Sequence, residues 1–152
     1  MNYGLMAVAV VCAFVAYMAL GGAIFAAVPS LKAEFAKYPK VYRSHEGQMS
    51  HFPVGMLGIF LSISVMSVLY AMAYKPGSGL ASGVIFGVLF SLFYLGSFVL
   101  HNYANLNIGL RITVFSAVAF MLEWTVVGIV LGLVYRPSSE VVLSSRVPHP
   151  RP

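Results

Sequence analysis

The sequence predicts an all-α membrane protein whose four transmembrane helices pack into a compact antiparallel bundle. Only 9% of the 152 residues are charged and 60% are apolar, whereas soluble domains are about 25% charged. The mean hydropathy of +0.89 points to the same class. Four uninterrupted apolar runs are each long enough to cross about 30 Å of hydrocarbon. The strands of a membrane barrel would show short alternating segments instead, so helices are favoured.

The four predicted spans cover about residues 3–28, 53–74, 80–100 and 112–135. We expect the first to be retained as a membrane helix, because the basic segment that begins a signal peptide does not precede it. The spans form one transmembrane domain, residues 1–137. The polar, proline-rich tail, residues 138–152, is expected to be extended or bound to a partner.

The links between the spans are unequal in length. Pro76 ends the second span and Gly77 and Gly79 permit a reversal, so spans two and three are expected to be antiparallel neighbours. The link between spans three and four, residues 101–109, is short and rich in asparagine, which suits a turn. With four spans, both termini are expected on the same side of the membrane as the tight turn.

The long first link contains a helical pattern. Leu31, Phe35 and Tyr38 recur at helical spacing before Pro39. The charged residues between them, which are expected to face elsewhere, are Lys32, Glu34 and Lys37. This pattern favours a short helix along the membrane interface over a plain connecting loop.

Small residues at helical spacing occur in three of the spans. They are Gly58 with Ser62 in the second, Gly79, Gly83 and Gly87 in the third, and Gly128 and Gly132 in the fourth. Because hydrophobic attraction is absent between helices in lipid, small residues promote association by letting backbones approach closely. The glycines therefore predict close packing, and the sequence leaves open whether each stripe faces its own bundle or another protein.

Glu123 lies midway along the fourth span, where an ionised carboxylate in lipid costs several kcal/mol (about 3 on insertion scales). We expect a neutral carboxyl that donates a hydrogen bond to a neighbouring hydroxyl or carbonyl. The candidate partners are Tyr17, Ser62, Ser64 and Ser91. At about 100° per residue, Glu123 points about 140° away from Gly128, so the fourth helix is expected to need protein on two faces. A proton or ion pathway, or contact with a partner subunit or cofactor, are the alternatives.

His45, His51 and His101 all fall on the side opposite the termini. Imidazole nitrogens are common ligands of copper and zinc, but the spacing of these histidines matches no established metal motif. A metal site built from them is therefore a minor alternative. No resident cofactor is predicted; we expect bound lipid, and the sequence leaves a pigment, a haem or a metal open.

The sequence does not favour an enzyme or a nucleic-acid-binding protein. It contains no paired carboxylates, no phosphate loop and no serine, histidine and acid set with a nucleophile turn. The basic residues flank the apolar spans, where they meet lipid headgroups, rather than forming one basic face. They are split almost evenly between the two sides of the membrane, so the positive-inside rule leaves the orientation undecided.

From residue 74 onward the chain resembles an uncharacterised family of small bacterial four-helix integral membrane proteins. The residues that carry the resemblance are Gly79-Leu80, Gly83, Phe86-Gly87 and Leu89, then Glu123-Trp124, Gly128, Gly132-Leu133 and Tyr135-Arg136-Pro137. The resemblance implies a bacterial inner membrane with both termini in the cytoplasm. It implies no activity.

The leading functional hypothesis is a non-catalytic accessory or scaffold subunit of a larger membrane protein complex, with respiratory and photosynthetic complexes as candidates. Its expected partners are membrane lipids and other membrane subunits or further copies of the chain. One alternative is a small transporter or channel that uses Glu123. The other is a membrane metal-binding protein that uses the surface histidines.

Overall fold

The computed structural model describes residues 1–137, which contain helices and links but no β-strand. The elements are α1 (Tyr3–Ala27), α2 (Ser30–Ala36), α3 (His45–Ala73), α4 (Gly79–Tyr94), a π-helical segment (Leu95–Leu100), α5 (His101–Asn105) and α6 (Leu110–Val134). Four helices of this described chain are long and apolar enough to cross a membrane, with the stretch Gly79–Asn105 counted as one. The predicted fold class is confirmed, while the predicted tail, residues 138–152, lies outside the described residues.

Helix α6 is the centre of the bundle. It packs along α4 on one face and along α1 on another, and α3 packs mainly against α1. The nine fully or largely buried positions of α6 reflect this placement. The four long helices therefore follow the spatial order α4, α6, α1, α3, in which α3 is the least extensively packed.

Helices α3 and α4 meet near the tight turn that joins them, as predicted, but not along their length. The Tyr70 hydroxyl donates a hydrogen bond to the Gly79 carbonyl at 3.1 Å, and the Tyr70 and Phe86 rings meet edge-on with centroids 5.5 Å apart. Further from the turn, a groove separates the two helices. The turn residues reverse the chain locally, whereas the packing of α4 against α6 determines the position of α4 in the bundle.

The two ends of the bundle hold the segments expected there. At the terminal end, the Asn2 backbone N–H donates to the Tyr135 hydroxyl at 3.4 Å, and the rings of Tyr74 and Tyr135 meet edge-on at 5.6 Å. At the opposite end, which we call the link end, the Arg111 guanidinium donates to the Ser30 hydroxyl at 3.4 Å. Both described termini and the tight turn thus share one end.

Two helix boundaries differ from the predicted ones. Helix α3 begins at His45, well before the predicted start at residue 53, and contains Pro53 in its interior. The Ser44 hydroxyl caps it by accepting the Gly47 N–H, and the helix continues through Pro53 although the proline has no N–H to donate. The third span also continues as helix to Asn105, through the π-helical segment, so its last residues are not the predicted turn.

The short helix predicted in the first link is confirmed as α2. Leu31 is buried, as its place in the pattern predicts. Glu34 was predicted to face elsewhere with the lysines, and this is wrong because its side chain is buried against the end of α6.

Candidate functional site

The Glu123 carboxyl is buried between α6 and α1. The residue is 6% exposed. A Cβ atom placed on Gly21 would lie 2.8 Å from Oε1 of Glu123, so a side chain there would displace the carboxyl from its present position. Helix α1 therefore accommodates the carboxyl because its residue at this position has no side chain.

Tyr17 lies one helical turn from Gly21 and faces the same carboxyl. Its hydroxyl lies close enough to the Glu123 carboxyl for a polar contact. Its ring also packs against Trp124, with centroids 5.4 Å apart. Tyr94 of α4 is close enough to Glu123 to interact with it electrostatically, and its ring packs against Trp124 with centroids 5.6 Å apart.

Of the four partners proposed for Glu123, the structure brings Tyr17 to the carboxyl. Ser62 and Ser64 donate to carbonyls of their own helix, and Ser91 donates to the Gly87 and Met121 carbonyls. Both ion pairs in the described chain involve Glu34, and neither includes Glu123. The carboxyl thus lies against the Tyr17 hydroxyl and Gly21 of α1, an arrangement that can retain a proton and join α1 to α6.

The glycines of the third and fourth spans face each other across the α4–α6 contact. A Cβ atom on Gly83 would lie 2.9 Å from the Cα of Gly132, and one on Gly132 would lie 2.7 Å from the Gly79 carbonyl oxygen. Gly128 fits against Gly83 and Gly87 in the same way. Backbone atoms therefore leave no room for a methyl group at Gly83, Gly87, Gly128 or Gly132, where the predicted close packing is present. Gly79 takes part through its carbonyl oxygen, whereas a Cβ atom on Gly79 itself would meet only the Arg136 side chain, at 3.6 Å.

The Glu123 face and the glycine face of α6 meet different helices, as the predicted angle between Glu123 and Gly128 requires. Glu123 faces Gly21 of α1, whereas Gly128 faces Gly83 of α4. Both faces are therefore covered by this chain itself.

Gly58 does not share in this packing, although its pattern resembles that of the other glycines. A Cβ atom on Gly58 would have no atom within 4 Å, and the same is true of Gly55. Both residues are exposed on α3. For Gly58, the question that the sequence left open is answered for the described chain: this glycine does not face its own bundle.

The groove between α3 and α4 lies beside these exposed glycines and has a volume of about 410 Å³. Leu61, Ser62 and Val65 form its α3 wall. The opposite side consists mostly of aromatic residues: Phe90, Phe93, Tyr94, Phe98 and Trp124, with Ser97. The indole Nε1 of Trp124 is buried and has no hydrogen-bond acceptor in the described part of the chain.

The three histidines are not brought together. Residues 1–137 contain no group of three or more His, Cys or acidic side chains arranged to hold a metal ion. His51 is exposed, and its Nδ1 lies 2.9 Å from the Gly47 carbonyl oxygen and 2.9 Å from the Ser50 hydroxyl. His45 lies at the start of α3, and His101 begins α5.

Sequence reasoning missed an ionic cluster at the link end. The carboxylate of Glu34 accepts from the Lys37 ammonium at 2.7 Å and lies 3.6 Å from the Arg111 guanidinium. The available signal was topological: the first and third links share one end, so an acidic residue in one lies near a basic residue at the edge of the other. This cluster fixes α2 to the start of α6.

No protein-family model, curated protein or solved structure matches the chain. The resemblance to the bacterial four-helix family therefore stays a prediction from its residues. The fold itself places the chain among multi-pass helical membrane proteins.

Proposed function

We propose that the protein is a non-catalytic accessory or scaffold subunit of a larger membrane protein complex. The observation that carries this proposal is the outward face of α3, where Gly55 and Gly58 have no atom of the described chain within 4 Å of a Cβ position. Such a face suits close approach by a helix of another subunit.

The exposed face lies on α3 because the other helices of the bundle cover one another more fully. Both faces of α6 that were expected to need a protein partner are covered by α1 and α4. Helix α3, in contrast, packs mainly against α1 and is exposed over much of its length. The partner surface therefore belongs on α3, not on α6.

The groove beside α3 supports the proposal that a partner binds at this surface. Its volume of about 410 Å³ is large enough for several side chains of an adjoining helix, and its wall is largely aromatic. Helix packing in lipid depends on van der Waals contact, which a shaped surface of this kind increases.

The burial of Glu123 supports a structural role for this carboxyl over the transport alternative. A pathway residue must exchange protons or ions with water, whereas Glu123 is 6% exposed and contacts Tyr17 and Gly21 inside the bundle. The carboxyl then holds α1 against α6, and the partner binds elsewhere.

The resemblance stated above supports a bacterial inner membrane with both termini in the cytoplasm. A fluorescent protein that matures only in the cytoplasm, fused after the last residue, tests the orientation. Fluorescence is expected; a dark fusion that is full-length and membrane-bound would reverse the proposed orientation.

The proposed function is tested by comparing Gly58→Leu with Gly22→Leu in the native host. Neither glycine has an atom within 4 Å of its Cβ position, but Gly22 lies on α1, away from the proposed surface. After mild-detergent extraction, we expect the wild type and Gly22→Leu to migrate as a complex with other chains, and Gly58→Leu to migrate alone with unchanged thermal stability. A wild type that migrates alone, or equal loss in both variants, would contradict the proposal.

A further inference from the structure

A second cavity lies at the link end, between the end of α1, α2 and the start of α3. We call it the link cavity. Its volume is about 770 Å³, within the range of about 300–1,000 Å³ typical of small-molecule sites. Much of its wall is apolar, with Phe25, Phe35 and Phe52 as the largest side chains.

The charged side chains that line the link cavity are both basic. Lys32 and Arg43 line it, and no acidic residue does. Both ion pairs in residues 1–137 are made by Glu34, with Lys37 and Arg111 as its partners. Lys32 and Arg43 thus have no carboxylate partner in the described chain, and the Lys32 ammonium lies over the Phe25 ring at 5.7 Å.

The other polar groups of the cavity add donors rather than negative charge. Burial and, to a smaller extent, the neighbouring Tyr38 raise the pKa of Tyr42, so its hydroxyl stays neutral at physiological pH. The Gln48 side-chain amide donates to the Arg43 carbonyl at 2.9 Å, which ties the link to the first turn of α3. The cavity therefore combines a positive rim with an apolar wall.

We propose that the link cavity binds one anionic phospholipid. Its phosphate lies between Lys32 and Arg43, and an acyl chain lies against Phe25 and Phe52. The charge complementarity and the position at the ends of two spans, where lipid headgroups meet a membrane protein, argue for this occupant. This site is separate from the α3 surface proposed for a protein partner.

The test measures lipid binding to the purified full chain in detergent by native mass spectrometry, with phosphatidylglycerol or phosphatidylcholine added. We expect one phosphatidylglycerol to be retained in preference to phosphatidylcholine. In the double variant Lys32→Gln/Arg43→Gln its Kd should rise about thirtyfold, since each basic residue near a membrane surface contributes about fivefold. The control Lys40→Gln removes a basic residue of the same link that does not line the cavity, and it should change Kd less than twofold.

Three results would overturn the proposal: equal retention of the two lipids, equal weakening by Lys40→Gln and the double variant, or displacement of phosphatidylglycerol by the same concentration of inorganic phosphate. The last result would assign the cavity to a free anion. If the double variant unfolds, Lys32→Arg/Arg43→Lys replaces it. This variant keeps both charges and should retain the lipid preference, and its loss would count against the proposal.

Discussion

Gly21 of α1 lies directly against the carboxyl of Glu123 in α6: a Cβ atom on Gly21 would lie 2.8 Å from Oε1. Beside this contact, Tyr17 faces the same carboxyl from α1. The polar group in the middle of α6 is therefore matched by a space and a hydroxyl on the neighbouring helix. This match explains how a carboxyl is accommodated at a depth where water does not reach.

Replacing Gly21 by alanine should destabilise the bundle. The added methyl group must shift the carboxyl, the end of a flexible side chain, away from Tyr17, and losing a polar contact of this kind costs about 0.6–2 kcal/mol. Thermal unfolding in detergent measures the effect. Gly22→Ala is the matched control, because the neighbouring position is open and should give an unchanged or slightly higher Tm. Equal Tm values for both variants would show that the carboxyl is not confined by Gly21.

Glu123→Gln should leave the protein folded, with stability within about 0.6 kcal/mol of the wild type, because an amide keeps the polar contact with Tyr17. Glu123→Lys should cost about 2.5–3.5 kcal/mol, since the described bundle offers no carboxylate to pair with the new charge. Reconstituted in liposomes, the wild type should show no proton flux that Glu123→Gln abolishes. Such a flux would establish the transport alternative.

Gly128→Leu should separate α4 from α6. The Gly128 Cα lies against the backbones of Gly83 and Gly87, so four extra carbon atoms cannot enter without moving a helix. We expect a loss of at least about 3 kcal/mol of unfolding free energy, at the upper end of overpacking effects. Gly58→Leu makes the same chemical change at an open position and should preserve the unfolding free energy of the isolated chain. A fully stable Gly128→Leu would contradict the packing.

Glu34→Gln should loosen α2 while leaving the four spans intact. The Lys37 and Arg111 side chains that pair with Glu34 are 59% and 67% exposed, so the expected loss is no more than about 1 kcal/mol. Hydrogen exchange of the α2 amides should become faster, and high salt should produce part of the same effect in the wild type. Glu46→Gln, at an exposed position outside both ion pairs, is the control and should leave the exchange unchanged. Unchanged exchange in Glu34→Gln would mean that Leu31, not the ionic cluster, holds α2.

The sequence was sufficient for the parts of this fold that depend on length and composition. Four spans follow from four apolar runs, and the different directions of Glu123 and Gly128 follow from the helical repeat. The contact between Gly83 and Gly128 was only partly predictable. A glycine stripe shows that another helix can approach closely, but it does not indicate which helix does so.

Gly58 and Glu34 show why the rest was not predictable. The Gly58 stripe resembles that of Gly128. However, α4 and α1 pack against two faces of α6, and α3 packs mainly against α1, so the Gly58 face of α3 has no helix against it. Glu34 was assigned outward from the spacing of its own short helix, whereas it is buried beside Arg111, which follows it by about half of the chain. In both cases the exposure of the residue depends on how distant segments of the chain pack, which local sequence spacing does not show.

The most direct test of the proposed accessory role is photocrosslinking in native membranes, with a photoreactive phenylalanine analogue in place of Gly58 or of Gly22. Both positions are open in the described chain, and only Gly58 lies on the proposed surface. We predict a discrete protein adduct of constant mass from position 58 and lipid adducts alone from position 22. Lipid adducts alone from both positions would contradict the proposal that α3 docks another subunit.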